Sequence, residues 1–195
     1  MTVVFDKSEL IKLEPEILEQ WIQENCYTLV GSAIFTKNNS LGSKLVRWGE
    51  KHLFAKCKDD DCFVPSHTGS IIEFSNDLYI FDMKPPRASV QPLRDYLIET
   101  DEDYKLVLRD FKIDTKMFSL NCQFHVGEFY PYLSALRSVF TKRQSKWNMH
   151  CSEFHARMLK LAGHNFPVGF NYEITPDELY HYFVGEEEGC NFHLN

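Results

Sequence analysis

The sequence predicts an α+β fold in which a small antiparallel sheet packs against helices. Strand-like segments concentrate in the middle of the chain and the best-marked helices lie before and after them, a separation that favours α+β over alternating βαβ units. The 195 residues are 44% apolar and 14% aromatic, which is enough to bury the core of one domain. We therefore expect a helical extension over residues 1–26 and one folded domain over residues 27–195.

The extension is predicted to be helical because Pro15 suits a first helical turn and apolar residues recur after it at helical spacing. Residues 27–36 are rich in β-branched and aromatic side chains, which predicts a strand. Ser40 then has the side chain of an N-cap. The helix that it begins would carry one apolar face, which ends with His52.

The middle of the chain predicts a β-hairpin. Two strand-like segments, residues 63–74 and 78–83, flank the polar turn sequence FSNDL. A short helix over residues 93–98 follows. Alternating side chains in YKLVLRDF, residues 104–111, then predict another strand.

The last third of the chain predicts two well-marked helices. The first runs from Cys151 to Ala162, and Gly163 is the residue that ends it in a left-handed conformation. The second begins at Thr175, because TPDE combines an N-cap threonine, a proline in the first turn and a glutamate of a capping box. The apolar pattern over residues 129–140 is also helical.

Charge disfavours a nucleic-acid partner. Twenty-one Lys and Arg against twenty-eight Asp and Glu give a formal net charge of −7. One stretch is basic instead, and its residues are Arg137, Lys142, Arg143 and Lys146. We interpret it as a solvated helix end, with an anion or lipid-headgroup contact as the alternative, so peripheral lipid contact stays open.

No apolar run is long enough to cross a membrane, and the charged N-terminus lacks the apolar segment of a secretory signal. We therefore expect a cytoplasmic protein without a transmembrane segment. Delivery of the kind used by phage or effector proteins would need no such signal and remains an alternative.

The cysteines predict free thiols, because six in 195 residues are too few for a disulfide scaffold. Cys57, Cys62, Cys190 and His193 are of types that bind zinc, but their spacing matches no usual finger pattern. We predict no metal site and no cofactor, with zinc as the weaker alternative.

Cys151 is the candidate nucleophile because it opens a helix. Free backbone N–H groups and the helix dipole at that end favour a thiolate and can hold an oxyanion. A thiol with a pKa of about 8.5 is mostly protonated at neutral pH, so a nucleophilic cysteine also needs a base. The alternative is a small buried residue without chemical function.

Among eight histidines, His67 is the candidate base. It begins a strand, and Gly69 nearby allows the close approach of a neighbouring element. His150 is adjacent to Cys151 in sequence, which does not aim its ring at the sulfur. His155 lies one helical turn beyond Cys151, so it competes for the role of base.

Asp82 is the candidate residue to orient the His67 imidazole. If the hairpin loop has two or four residues, paired numbers sum to an odd value, and Asp82 lies opposite His67 or diagonally adjacent to it. A loop of three or five residues would present Tyr79 or Phe81 instead. Glu73 shares the strand face of His67 but lies about 20 Å along the strand, too far to serve. Otherwise Asp82 is a solvated carboxylate at the sheet edge.

Four parts of the chain carry a family resemblance. In order they are GSAIFTKNNSLGSKLVRWGEKH, SHTGSIIEF, LYIFDMKPPRASVQPLRDY, and HCSEFHARMLKLAG with EITPDEL. Their order and spacing resemble those of the circularly permuted papain-like cysteine hydrolases. They are most similar to the YiiX-like branch of the NlpC-type superfamily, which also resembles lecithin:retinol acyltransferase in chain order. The resemblance covers about residues 27 to 183.

The resemblance implies a permuted papain-like core with Cys151 as nucleophile, His67 as base and Asp82 as the orienting residue. It implies acyl transfer through a thioester, on the amide bond of a peptide or glycopeptide. The alternatives are an acyl-lipid hydrolase or acyltransferase, and a non-catalytic module that binds peptide or lipid. The sequence departs from the family pattern at Ser32, where aspartate is frequent, and at Ser70, where an aliphatic residue is usual.

Overall fold

A computed structural model describes residues 2–49, 63–130, 150–168, 170 and 174–185. In these ranges the chain forms one six-stranded antiparallel sheet and eight helices. The predicted α+β class, with a small antiparallel sheet packed against helices, is confirmed.

The elements are named in chain order. The strands are β1 (Thr2–Asp6), β2 (Ala33–Lys37), β3 (His67–Phe74), β4 (Asp77–Asp82), β5 (Ser89–Pro92) and β6 (Asp103–Arg109). The helices are α1 (Lys7–Leu10), α2 (Pro15–Glu24), α3 (Cys26–Leu29), α4 (Leu41–Gly49), α5 (Leu93–Glu99), α6 (Thr115–Phe124), α7 (Cys151–Leu161) and α8 (Pro176–Val184). The strand order in the sheet is β1-β6-β2-β3-β4-β5.

The β3–β4 hairpin turns through Ser75 and Asn76, which both have a positive φ, of 53° and 67°. Such a two-residue turn matches the twist of the strands that it joins, and asparagine tolerates this conformation. The register pairs Gly69 with Asp82. The predicted hairpin and its odd-sum register are therefore confirmed.

Strand β3 lies in the interior of the sheet, between β2 and β4, and its residues from His67 to Ile72 are all buried. Helices α6 and α7 both contact β3. Because α7 packs on this strand, the two elements that begin with His67 and Cys151 are neighbours in the fold.

The N-terminal segment differs from the prediction. Residues 2–6 form β1, which pairs with β6 at the edge of the sheet, so the segment is not helical throughout. Residues 26–29 are helix α3 rather than the start of a strand, and β2 begins only at Ala33. The chain turns between them at Gly31, whose φ of 85° ends any extended segment there.

The later elements agree better. Helices α5, α7 and α8 and strand β6 lie where they were predicted, and Thr175 makes the expected capping box. Strand β5 and helix α6 are additional. Several predictions lie outside the described residues: most of the helix over 129–140, the basic stretch Arg137, Lys142, Arg143 and Lys146, the face residue His52, and the zinc-type residues Cys57, Cys62, Cys190 and His193. None of the helices in the described ranges is long and apolar enough to cross a bilayer.

Candidate active site

Cys151 is the first residue of α7, and His150 before it is the N-cap with extended backbone angles. The positive end of the helix dipole therefore lies at the cysteine, where it favours a thiolate. The residue is 4% exposed. Its sulfur is thus held in a largely enclosed position, where nearby charges act through little water.

His67 is the first residue of β3 and pairs with Thr36 of β2. Its Nε2 hydrogen-bonds to Asp82 Oδ1, which leaves Nδ1 as the nitrogen for another partner. The Cys151 thiol interacts with the same imidazole through both charge and side-chain hydrogen bonding. The imidazole therefore lies between a thiol and a carboxylate.

Asp82 is the last residue of β4 and lies diagonally across from His67, opposite Gly69. Its second oxygen, Oδ2, is 2.6 Å from Lys84 Nζ. A β-carbon at Gly69 would lie 2.5 Å from Ile80 Cδ1, so the glycine leaves room for the Ile80 side chain beside it. Asp82 is 3% exposed, and the alternative of a solvated edge carboxylate is therefore wrong.

The thiol and the imidazole shift each other's proton equilibria. Burial would raise the pKa of Cys151, but the charge of His67 and hydrogen bonds with His150 and His67 outweigh it and lower the pKa to about 5. Burial would lower the pKa of His67, but the charges of Cys151 and Asp82 raise it well above its usual range. The pair therefore favours thiolate and imidazolium at neutral pH.

The carboxylate of Asp82 stays ionised in this setting. Burial would raise its pKa, but the charges of His67 and then Lys84, with their hydrogen bonds, lower the pKa to about 2. An ionised carboxylate on Nε2 fixes the orientation of the ring and stabilises its positive charge.

His155, the competing base, serves another purpose. It is fully buried, and its Nδ1 lies 2.7 Å from Ser70 Oγ, on the other face of β3 from His67. The rings of Phe118 and Phe183 pack edge-on against it. Burial lowers its pKa to about 3, so His155 is a neutral core residue. The Ser70 hydroxyl, unusual for the resembled family, is its hydrogen-bond partner.

His150 is a member of the site that sequence reasoning set aside. It is buried, it hydrogen-bonds with the Cys151 thiol, and its Nδ1 lies 3.1 Å from Ser152 Oγ. The Ser152 hydroxyl donates to the carbonyl of Ile174. The N-cap position was the available signal, because a cap residue turns out of the helix axis and its side chain can reach back to the first turn.

A cavity of about 200 Å³ opens beside His67. Its wall includes polar side chains from the loop before α4, from α4 itself and from the ends of β3, β4 and β6; they are Asn38, Ser40, Ser43, Ser66, Lys84 and Glu102. A molecule in this cavity would reach the imidazole directly.

No family model matches the chain, and no curated protein matches it. Within the described ranges, no group of three or more His, Cys, Asp or Glu side chains is placed to hold a metal ion.

Proposed function

We propose that this protein is a cysteine hydrolase with a circularly permuted papain-like fold, which cleaves amide bonds through a thioester on Cys151. The observation that carries the proposal is the buried series Cys151, His67 and Asp82. It brings together three elements, the start of α7, the start of β3 and the end of β4. The base thus interacts with the nucleophile on one side and with the orienting group on the other, as covalent catalysis requires.

The order of elements supports the permuted arrangement that the resemblance implies. The strand that begins with His67 comes before the helix that begins with Cys151, and the helix packs on that strand. The antiparallel sheet and the hairpin that carries Asp82 agree with the same arrangement.

In the first half of the reaction, the Cys151 sulfur bonds to the substrate carbonyl carbon, and an electron pair of the C=O bond moves to the oxygen. Backbone N–H groups at the start of α7 would stabilise this oxyanion. The C–N bond then breaks, and His67 gives its proton to the leaving nitrogen. The products are a free amine, a thioester on Cys151 and a neutral imidazole.

In the second half, water attacks the thioester carbon and gives a proton to His67. The C–S bond breaks, the acyl group leaves as a carboxylic acid, and the thiolate and imidazolium are restored. Asp82 keeps the ring in place through both halves, because its carboxylate holds Nε2 while Nδ1 exchanges protons with the reactants.

The cavity combines polar side chains with apolar surface from Val46, Pro85 and Tyr130. Its polar part supports an amide-linked substrate such as a peptide or glycopeptide. Its hydroxyl, amide and charged side chains would lose their solvation without a replacement hydrogen bond if an acyl chain lay against them. A peptide or sugar offers such replacements. Lipid acyl transfer is therefore the weaker alternative. A non-catalytic binding module would have no use for the interacting thiol and imidazole, which disfavours that alternative too.

The first test is the pH dependence of Cys151 alkylation by iodoacetamide, resolved by peptide mass spectrometry. At pH 6 a thiol with a pKa of about 5 is about 90% ionised, and one of about 8.5 only about 0.3%. Because a less basic thiolate is a weaker nucleophile, we expect a rate about tenfold above that of free cysteine at pH 6. We also expect the Cys151 rate to be nearly flat from pH 6 to 8, whereas the rate of free cysteine rises about tenfold per pH unit over much of that range.

The substrate class is tested by incubation with a panel of peptides, glycopeptides and phospholipids, followed by intact-mass detection of an acyl adduct. The control is Cys151→Ala, which can form no thioester. An adduct from phospholipids alone would replace the amidase by a lipid acyl hydrolase. A Cys151 rate that follows that of free cysteine at every pH would remove the basis for any thiol hydrolase.

A further inference from the structure

Lys84 extends the series of interacting side chains by one more member. Its ammonium is 2.6 Å from Asp82 Oδ2, the oxygen that His67 does not use. Extending the β3–β4 register by two residues beyond Asp82 brings Lys84 across from His67. The strand geometry that positions the Asp82 carboxylate therefore also places Lys84 beside it.

Other side chains hold the ammonium in place. It lies 5.7 Å from the ring centre of Tyr96 on α5, and the carboxylate of Glu102 adds a second negative charge near it. Glu102 is itself fixed, since its Oε1 accepts a hydrogen bond from Asn38 at 2.7 Å. Burial would lower the pKa of Lys84, but Asp82 and then Glu102 raise it, so the ammonium stays charged at neutral pH.

We propose that Lys84 is a positioning residue of this site, whose charge keeps Asp82 ionised and thereby keeps Cys151 and His67 as thiolate and imidazolium. This inference rests on the proposed function. Lys84 acts through Asp82 and takes no part in the bonds that form and break.

The physical reason is charge balance. Thiolate, imidazolium, carboxylate and ammonium alternate in sign along the series, so their sum is zero. Without Lys84 the series would carry one uncompensated negative charge in an enclosed position, which is unfavourable. Taking up a proton relieves it, so the thiolate would be lost at a higher pH than in the native protein.

Among the residues that the structure describes, the other groups that face the series do not replace this charge. Burial, with the charges of Asp82 and Glu102, raises the pKa of Tyr96 well above its usual range, so it stays a neutral phenol. Glu102 is another anion near Lys84 and makes the loss of the lysine more severe. His150 contacts the opposite end of the series, at the Cys151 thiol.

The experiment measures iodoacetamide alkylation of Cys151 from pH 4 to 8 in the full chain, in Lys84→Met and in Lys84→Arg. The reagent is neutral and small, so the measurement reports the thiol and not the binding of a substrate by Lys84. We expect the acid-side midpoint of the profile to rise by about one pH unit in Lys84→Met. Lys84→Arg, which keeps the charge, should restore the native midpoint.

Two controls separate this effect from general changes. Lys12→Met removes the charge of an exposed lysine between α1 and α2, and its midpoint should equal the native one. Cys122 is fully buried on α6, so its labelling in the same samples reports unfolding. If Lys84→Met labels at Cys122, Lys84→Gln serves as the second variant.

The outcomes distinguish the two proposals. A native profile like that of free cysteine overturns the proposed function itself. A native midpoint near pH 5 that does not move in Lys84→Met overturns the role of Lys84 and leaves the hydrolase standing. An arginine variant that behaves like the methionine variant, or an equal shift in Lys12→Met, also overturns it, because the effect would not come from this ammonium.

Discussion

His67 lies on one face of β3 and His155 of α7 packs against the other face. Both histidines are buried, but their pKa values shift in opposite directions. His67 contacts the charged groups of Asp82 and Cys151, and its pKa is raised. His155 contacts the Ser70 hydroxyl and two aromatic rings, and its pKa falls to about 3. Burial opposes the charged imidazolium in both places. The opposite pKa shifts therefore come from the partners of each ring. Only nearby negative charges offset the free-energy cost of removing a charged imidazolium from water.

A buried histidine can have one of two roles, and His67 and His155 show one each. At His67 the strand end and the start of α7 supply charges, and the ring becomes able to donate a proton. At His155 the same strand supplies only a hydroxyl, and the ring becomes a neutral part of the core. Substitutions at each site should therefore affect different properties, activity at the first and stability at the second.

The largest expected effect is the loss of the charged pair in His67→Asn. We expect amide hydrolysis to fall by about 10³- to 10⁴-fold, because the variant has neither the proton donor nor the charge that lowers the thiol pKa. The measurement is the rate of hydrolysis of a substrate that gives an acyl adduct, together with alkylation of Cys151 at pH 6. The matched control is His155→Gln, which should retain most of the activity. Equal losses in the two variants would show that the two sites do not differ in function.

The next effect is the acid sensitivity contributed by His155. Its pKa in the folded protein is about 3, whereas an unfolded histidine has a pKa of about 6.5. As pH falls below about 6.5 the unfolded chain gains a proton that the folded protein cannot take up, so the free energy of unfolding falls by about 1.4 kcal/mol per pH unit. The loss continues until the pH approaches the folded pKa.

Urea denaturation of the native protein and of His155→Gln between pH 4 and 7 measures this contribution. The glutamine keeps a hydrogen-bonding group but cannot titrate, so its stability should depend less steeply on pH. His164, whose pKa burial and then Arg109 lower to about 4, contributes in the same direction in both proteins and cancels in the difference. Parallel stability curves would mean that His155 is protonated in the folded state.

The two sites also differ in how far the sequence predicts them. Asp82 was predicted on the condition of a two- or four-residue hairpin loop, which the turn through Ser75 and Asn76 meets. Cys151 was predicted because residue types mark the start of its helix. Lys84 was missed because the pairing argument stopped at the end of the strand, although extending the same register by two residues places it across from His67. The bond between Ser70 and His155 joins residues 85 positions apart, and no local spacing encodes it.

The contrast between local signals and contacts of distant residues also explains the errors in the predicted fold. Strand β1 has only five residues, and its partner β6 lies about a hundred positions later, so its pairing depends on the assembled sheet. Residues 26–29 have strand-forming side chains but fold as α3, because tertiary packing overrides a weak local preference. The β3–β4 hairpin and helix α8, which a tight turn and a capping box mark, were predicted, whereas β1, which depends on a distant partner, was not.

The smallest expected effect is the loss of stability in Ser70→Ala. Ser70→Ala would leave the Nδ1 of His155 buried without its hydroxyl partner, which costs about 1–3 kcal/mol in the free energy of unfolding. Because Ser70 lies on the other face of β3, the pH profile of Cys151 alkylation should stay unchanged. Urea denaturation and the alkylation profile together check both statements. A shift of the alkylation profile in Ser70→Ala would mean that the two faces of β3 are coupled, and that the partner of each histidine does not act alone.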